Sequence, residues 1–269
     1  ALFSSLSPQQ PSPPQAGFFV PERETGNPHG ETNCGFFIAQ IGRLSICGYH
    51  RKGTIIAVSL PNGIVLALAT AYAAPLTVTA ATNASPCVLT VTNTLAIGDY
   101  VAFSSGWSRA NNRVFRLSAV TGTTVTIEGL DSSLTSQYPA GSGTGTITKI
   151  TTWTQITQVI GCTSSGGDPQ YQTYSFLEQD FDSQIPTTTS AQSLALEIGD
   201  DPALAGYIAL KAVAATRATT ALRATLPSGG FITYNAIWAF DETPSLTKGN
   251  LMSVKAGAAL QGRPVRYAS

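Results

Sequence analysis

The sequence predicts a mainly β protein: two packed antiparallel sheets in a sandwich or barrel-like fold, one flanking α-helix, and an inserted small β-barrel. Three observations carry that reading. Short runs rich in Thr, Val, Ile and aromatic residues recur between Gly, Pro and Asn punctuation through most of the chain. Only one run, Gly199 to Arg217 (GDDPALAGYIALKAVAATR), combines helical spacing with a helix start signal. From Leu76 to Ile150 the strand-like runs are short and closely spaced, the texture of a small closed barrel.

Residues 1–30 contain many prolines and polar spacers without periodicity, and read as an extended N-terminal arm. Phe3, Phe18 and Phe19 stand out in it, because a purely solvated tail has little use for large apolar side chains; they are candidates for docking on another surface. Residues 31–75 supply an N-terminal segment and the first hairpin of the main domain. Within it CGFFIAQIGRLSICGY fits strand or helix. Thr54 to Ala74 is long and nearly uncharged, as a membrane span would be, yet Pro61-Asn62-Gly63 at its centre favours a hairpin of TIIAVSL and IVLALAT. No membrane partner is expected.

The barrel, 76–150, is read from LTVTAAT, PCVLTVTN, GDYVAFSS, NRVFRLSAV, TTVTIEGL and GTGTITKI. Trp107, Arg109, Asn111, Asn112 and Arg113 share one of its loops, which either pins the barrel or forms a ligand patch. The main domain, 151–269, opens with TWTQITQVIG as a strand, then a long polar stretch and AQSLALEIG. In the helix Asp201 suits the N-cap and Pro202 the first helical position. Leu204, Ile208, Ala212 and Ala215, with Tyr207 beside them, form the expected buried stripe, and Lys211 points to water. A long hairpin follows, with Leu222, Ala224 and Leu226 inward, a turn at 227–230, and Ile232, Tyr234, Ala236, Trp238 and Phe240 inward on the return. Met252, Val254, Ala256, Ala258 and Leu260 share one face of a closing strand.

Composition narrows the function. The 269 residues carry 15 bases and 15 acids, 11% charged in all, so the chain lacks the basic excess of a general nucleic-acid binder. Such a weakly charged β surface is poorly guarded against self-association. His29, Cys34, Cys47 and His50 offer a tetrahedral zinc set by type but match no standard finger, and free reduced thiols are the expectation for all four cysteines. No nucleophile stands in a catalytic pattern, so no enzyme activity, cofactor or metal is expected.

Charge order is more informative than net charge. Between Lys149 and Lys211 there are seven acids and no Lys or Arg, whereas 202–269 carries seven bases and two acids. Asp200 and Asp201 are accounted for by the helix N-terminus. Glu178, Asp180 and Asp182 are not: with Phe176 and Phe181 they lie in YSFLEQDFDSQIPTTTSAQ, which is long for a connection and mixes aromatics with acids.

The order of segments after residue 150 resembles the major tail tube proteins of long, non-contractile phage tails, the lambda-like family. The resemblance rests on the strand with Trp153, the stretch YSFLEQDFDSQIPTTTSAQSLALEIGDDPALAGYIAL, the LPSGG turn, the DETPSLTKGN connection and the terminal GRPVRY. It implies two packed sheets flanked by a helix, subunits closed into hexameric rings, and rings stacked into a tube in the virion tail. It further implies assembly in the host cytoplasm and partners among the tape measure protein, tail tip and tail terminator. Phage DNA would pass through the lumen without sequence-specific binding, and no chemistry would be catalysed. Phe176, Glu178, Asp180, Phe181 and Asp182 would then form an inter-ring or lumen loop. The barrel departs from the lambda-like pattern and would sit on the outer surface, removable by joining Ala74 to Thr151. The alternative is a tail-tip or fibre-type binding module in which Trp107, Asn111 and Asn112 recognise a host surface glycan.

Overall fold

The computed structural model describes residues 62–92 and 94–268. The arm with Phe3, Phe18 and Phe19, the segment 31–50, the His29, Cys34, Cys47 and His50 set, and the run TIIAVSL read as the first strand of the 54–74 hairpin lie outside the described residues. Strand β1 (Val65–Tyr72), read from the sequence as the second strand of that hairpin, is paired on both sides within a sheet, so its residues do not form a membrane-spanning helix.

Six strands close the barrel: β2 (Leu76–Ala81), β3 (Val88–Val91), β4 (Tyr100–Ser105), β5 (Arg113–Thr121), β6 (Thr124–Ile127) and the first part of β7 (Gly145–Ile156). Their order is β2-β3-β6-β5-β4-β7, and β7 returns to pair with β2. Alternation fills the interior, as expected for a barrel this small: Val101, Phe103, Phe115, Leu117, Val125, Ile127 and Ile147 are all buried. The six runs read from the sequence coincide with these strands.

Strand β7 leaves the barrel and enters the main body. Residues 145–149 pair with β4, whereas 150–156 pair with β1. A first sheet then runs from β7 through β1 and β12 (Thr219–Thr225) to the opening half of β13 (Phe231–Ser245), with β15 (Val265–Tyr267) on the far side. A second runs from the closing half of β13 through β14 (Ser253–Leu260) and β11 (Ser193–Gly199) to β8 (Val159–Ser165). The switch is visible in the register: β12 pairs with residues 231–237 of β13, and β14 with residues 236–245. One core joins both halves, with Leu66 and Leu222 from the first sheet, Leu196 and Val254 from the second, and Trp238 between them. TWTQITQVIG is therefore two strands, broken at Gln158 with its positive φ of 57°.

The fifteen-residue β13 buries opposite faces at its two ends. Ala236 and Trp238 lie in the core of the two sheets, with Tyr234 and Phe240 packed against it, as the alternation predicts. Phe231, Thr233 and Asn235, on the other face, are also buried, because the barrel covers them.

The helix, α1 (Ala205–Thr216), starts later and faces differently from expectation. Asp201 caps a preceding turn, accepting from the Ala203 N–H at 3.1 Å, and Leu204 occupies the N-cap without a side-chain bond. The buried face is Gly206, Tyr207, Ala209 and Leu210, whereas Ile208 is 56% exposed and Ala212 and Ala215 face solvent. Gly206 explains the rotation. A Cβ there would lie 2.8 Å from the Gln155 carbonyl oxygen and the Ile156 Cα, so the helix reaches the β7 backbone only through a residue without a side chain. Met252, placed inward by the alternation, lies before β14 begins and is 46% exposed.

Barrel and sheet share a dense seam. Thr233 Oγ1 donates to the Val114 carbonyl at 2.8 Å, Asn235 Nδ2 to that of Asn112 at 3.1 Å, and Arg113 Nε to that of Arg263 at 3.1 Å. Tyr267 closes it: its hydroxyl accepts from Arg116 N at 3.0 Å and donates to the Glu128 carbonyl at 3.2 Å, while its ring stacks on Phe231 at 4.5 Å. The Arg116 guanidinium lies over both rings and pairs with Glu128.

Burial pushes the Tyr267 phenol from 10.0 up to about 12. The neutral form is thus favoured in the folded state, and its contribution is complete below pH 10.0 and lost as pH rises toward about 12. Alkaline denaturant titrations should show stability falling across that window, with Tyr267 ionising at lower pH in the unfolded chain than in the folded one. Tyr267→Phe should remove that part of the slope; an unchanged slope would place the loss elsewhere.

Candidate assembly surface

The stretch read as a long polar connection is a β-hairpin. Strands β9 (Pro169–Tyr174) and β10 (Ser183–Thr189) pair only with each other, in register from Ser183↔Tyr174 to Thr189↔Pro169. Its neck is tightly specified. Gly166 and Gly167 both take positive φ, and a Cβ on Gly166 would fall 2.0 Å from the Ala191 carbonyl oxygen. Ser190 Oγ accepts from the N–H groups of Gly167 and Asp168, each at 3.0 Å, and Ser190 N donates to the Asp168 carbonyl at 2.9 Å. Pro169 and Pro186 each remove a donor from strands that have no second neighbour, which discourages indiscriminate edge pairing.

Beyond the neck the hairpin has no core of its own. Every residue of β9 is exposed, as is all of β10 except the half-buried Ser183. The tip, 175–182, turns with Gln179 N donating to the Phe176 carbonyl at 3.0 Å, and the Tyr174 and Phe176 rings meet edge to face at 5.6 Å. Phe176 is 60% exposed, Leu177 fully exposed and Phe181 66%. Glu178, Asp180 and Asp182 alternate with them, and none joins an ion pair among the described residues. The five residues singled out from the sequence are thus brought together at one tip. Two strands alone are marginally stable in water, so large exposed side chains on such an arm are unfavourable unless another surface covers them.

A groove of about 800 Å³ opens beside the neck, bordered by Arg109, Asn111, Gln192, Gln261 and Arg263. Strand β8, pairing only with β11, forms the outer edge of the second sheet; it carries the exposed side chains of Val159 and Ile160 and the exposed thiol of Cys162. Cys87 is buried in the barrel, where desolvation pushes its thiol pKa up. Among the described residues no cluster of His, Cys, Asp and Glu could hold a metal, and no helix is long and apolar enough to cross a membrane.

The loop candidates resolve the other way. Trp107 is 1% exposed, its Nε1 donates to the Pro139 carbonyl at 2.8 Å, and its ring meets Tyr138 edge to face at 5.3 Å. It offers no face to a sugar. Asn111 Oδ1 accepts from Ser105 N at 3.1 Å, and Asn112 sits at φ 55° with its carbonyl engaged by Asn235. The loop pins the barrel, and the glycan site built on Trp107, Asn111 and Asn112 does not exist.

The β body thus carries an arm whose large apolar side chains nothing in the described residues covers. The chain belongs to the phage tail tube protein family, whose model, described as phage tail tube protein (TTP), matches residues 105–269. It is thus a structural protein of a phage tail. The match starts at the last residue of β4, Ser105, and so includes β5, β6 and all of β7. No curated protein matches the chain. Among solved structures it is similar to a chain in a cryo-EM structure of the anti-feeding prophage (AFP) baseplate, 6-fold symmetrised, at 13% identity and a TM-score of 0.31, covering 44% of this chain and 86% of that one. At that TM-score the likeness adds nothing to the assignment.

Proposed function

We propose that the protein closes into hexameric rings that stack into the tube of a long, non-contractile, lambda-like tail, the conduit through which DNA is ejected. The observation that supports this most directly is the β9–β10 hairpin of a tail tube family member, whose tip carries exposed Phe176, Leu177 and Phe181. A neighbouring copy covers that tip in this reading. The tape measure protein, tail tip and tail terminator meet the tube along and at its ends, and the barrel and the N-terminal arm with Phe3, Phe18 and Phe19 belong to its outside and its inter-subunit contacts.

Negative-stain imaging of the purified full chain should reveal rings or tubes; dispersed monomers at every concentration would overturn the proposal. The tip acids separate two versions of it. If Glu178, Asp180 and Asp182 pair with bases on a neighbour, tube formation weakens as salt rises; if they line a lumen and repel DNA, stacking does not weaken with salt. The triple variant Glu178→Gln, Asp180→Asn, Asp182→Asn should abolish the salt dependence in the first case and slow DNA delivery in the second. A variant equal to wild type in both respects would leave these acids as solvation only.

A further inference from the structure

We infer that the loop 246–252 of one copy is the surface that receives the hairpin tip of another. The inference rests on the reading that the hairpin contacts a second copy, and it names the receiver.

The first ground is placement. Hairpin and loop leave the second sheet at opposite ends: β11 and β14 pair from Ser193↔Ala259, beside the hairpin neck, to Gly199↔Ser253, beside the loop. Those six steps separate the two ends by about 20 Å. A protrusion at one end and its receiver at the other make a head-to-tail contact, which leaves a free protrusion and a free receiver for the next copy rather than pairing two copies off.

The second ground is shape and polarity. Leu246, Leu251 and Met252 are 76%, 70% and 46% exposed within one short loop, held as a turn by Asn250 N donating to the Thr247 carbonyl at 3.1 Å and by Gly249 at φ 90°. Three exposed aliphatic side chains there match the exposed Phe176, Leu177 and Phe181 of the tip. Docking removes both sets from water at once.

The third ground is charge. Lys248 is the sole ionisable residue between Glu242 and Lys255, whereas the tip carries three acids and no base between Lys149 and Lys211. Neither Lys248 nor any tip acid takes part in the ion pairs among the described residues, which are Arg116–Glu128, Lys149–Asp99 and Lys211–Glu242. An apolar-acidic tip and an apolar-basic loop are complementary in both properties.

Photo-cross-linking tests it on the 269-residue chain. With p-benzoylphenylalanine in place of Leu177, and isotopically labelled and unlabelled copies mixed before assembly, irradiated tubes should yield inter-chain peptides containing Leu246 to Met252. In parallel, Lys248→Glu should raise the concentration needed for tubes about tenfold, and adding Asp180→Lys should restore it. Inter-chain cross-links to another segment, such as the groove at Arg109 and Arg263, with Lys248→Glu assembling normally, would overturn the receiver while leaving the hairpin contact standing. Tubes that give no inter-chain cross-link from position 177 would overturn both.

Discussion

A chain carrying Phe176→Ser and Phe181→Ser is expected to fold like the wild type and to require a hundred- to ten-thousandfold higher concentration, on the order of 10² to 10⁴, before tubes form. Both rings stand in solvent in the subunit, at 60% and 66% exposure, so replacing them removes no intramolecular core. Covering each ring at a contact is worth about 1.5–3 kcal/mol, and the two together about 3–6 kcal/mol. Each 1.4 kcal/mol is tenfold in association, which gives the range stated. Sedimentation of tubes over a concentration series measures the assembly term, and denaturant unfolding of the unassembled chain measures the fold. Loss of cooperative unfolding would show that the tip packs on its own subunit. Tubes forming at the wild-type concentration would remove the hairpin from the stacking contact.

What could be read in the sequence follows from where burial writes a pattern. In the barrel and the main sheets one face of each strand is packed, so alternation such as Val101/Phe103 and Ala236/Trp238 marks both strand and face. The β9–β10 hairpin has no buried face, and PQYQTY and SQIPTTT therefore carry no alternation to separate them from a loop. The mixture of aromatics and acids at its tip was legible as unusual, but its secondary structure was not. The rotation of α1 was hidden for another reason: Gly206 contributes nothing to a hydrophobic stripe, yet it is the residue that the packing selects. Trp107 shows the converse, since an aromatic beside asparagines in a loop has the composition of a sugar site, and only the Pro139 and Tyr138 contacts reveal a core residue. The buried second face of Phe231, Thr233 and Asn235 depends on the barrel, more than a hundred residues earlier in the chain for the Thr233 and Asn235 contacts, and no local pattern reports it.

That second face makes the barrel's removal the most damaging change to the fold. A chain in which a short linker joins Ala74 to Thr151 is expected to lose cooperative folding, contrary to the expectation that an inserted outer module can be deleted with assembly intact. Phe231, Val265 and Tyr267, all outside the barrel strands, lie in the same core cluster as Phe115 and Leu117, at 7%, 4% and 5% exposure. Returning the three to water costs about 1.5–3 kcal/mol each, or about 5–9 kcal/mol together, against a total stability of about 5–15 kcal/mol for an ordinary domain. The deletion also takes the Arg116 guanidinium from over two rings and removes Val114 from its cluster with Ala69 and Ala221. Far-ultraviolet circular dichroism and denaturant unfolding of the deleted chain should show a broad or absent transition, with aggregation in place of rings. A short Gly-Ser insertion after Gly122, at the exposed turn between β5 and β6, is the control and should leave unfolding unchanged, since it lengthens a solvent-facing turn and breaks no seam contact. If the deleted chain instead unfolds cooperatively near the wild-type midpoint and still forms tubes, then the seam holds the barrel to the sheet without the sheet depending on the barrel.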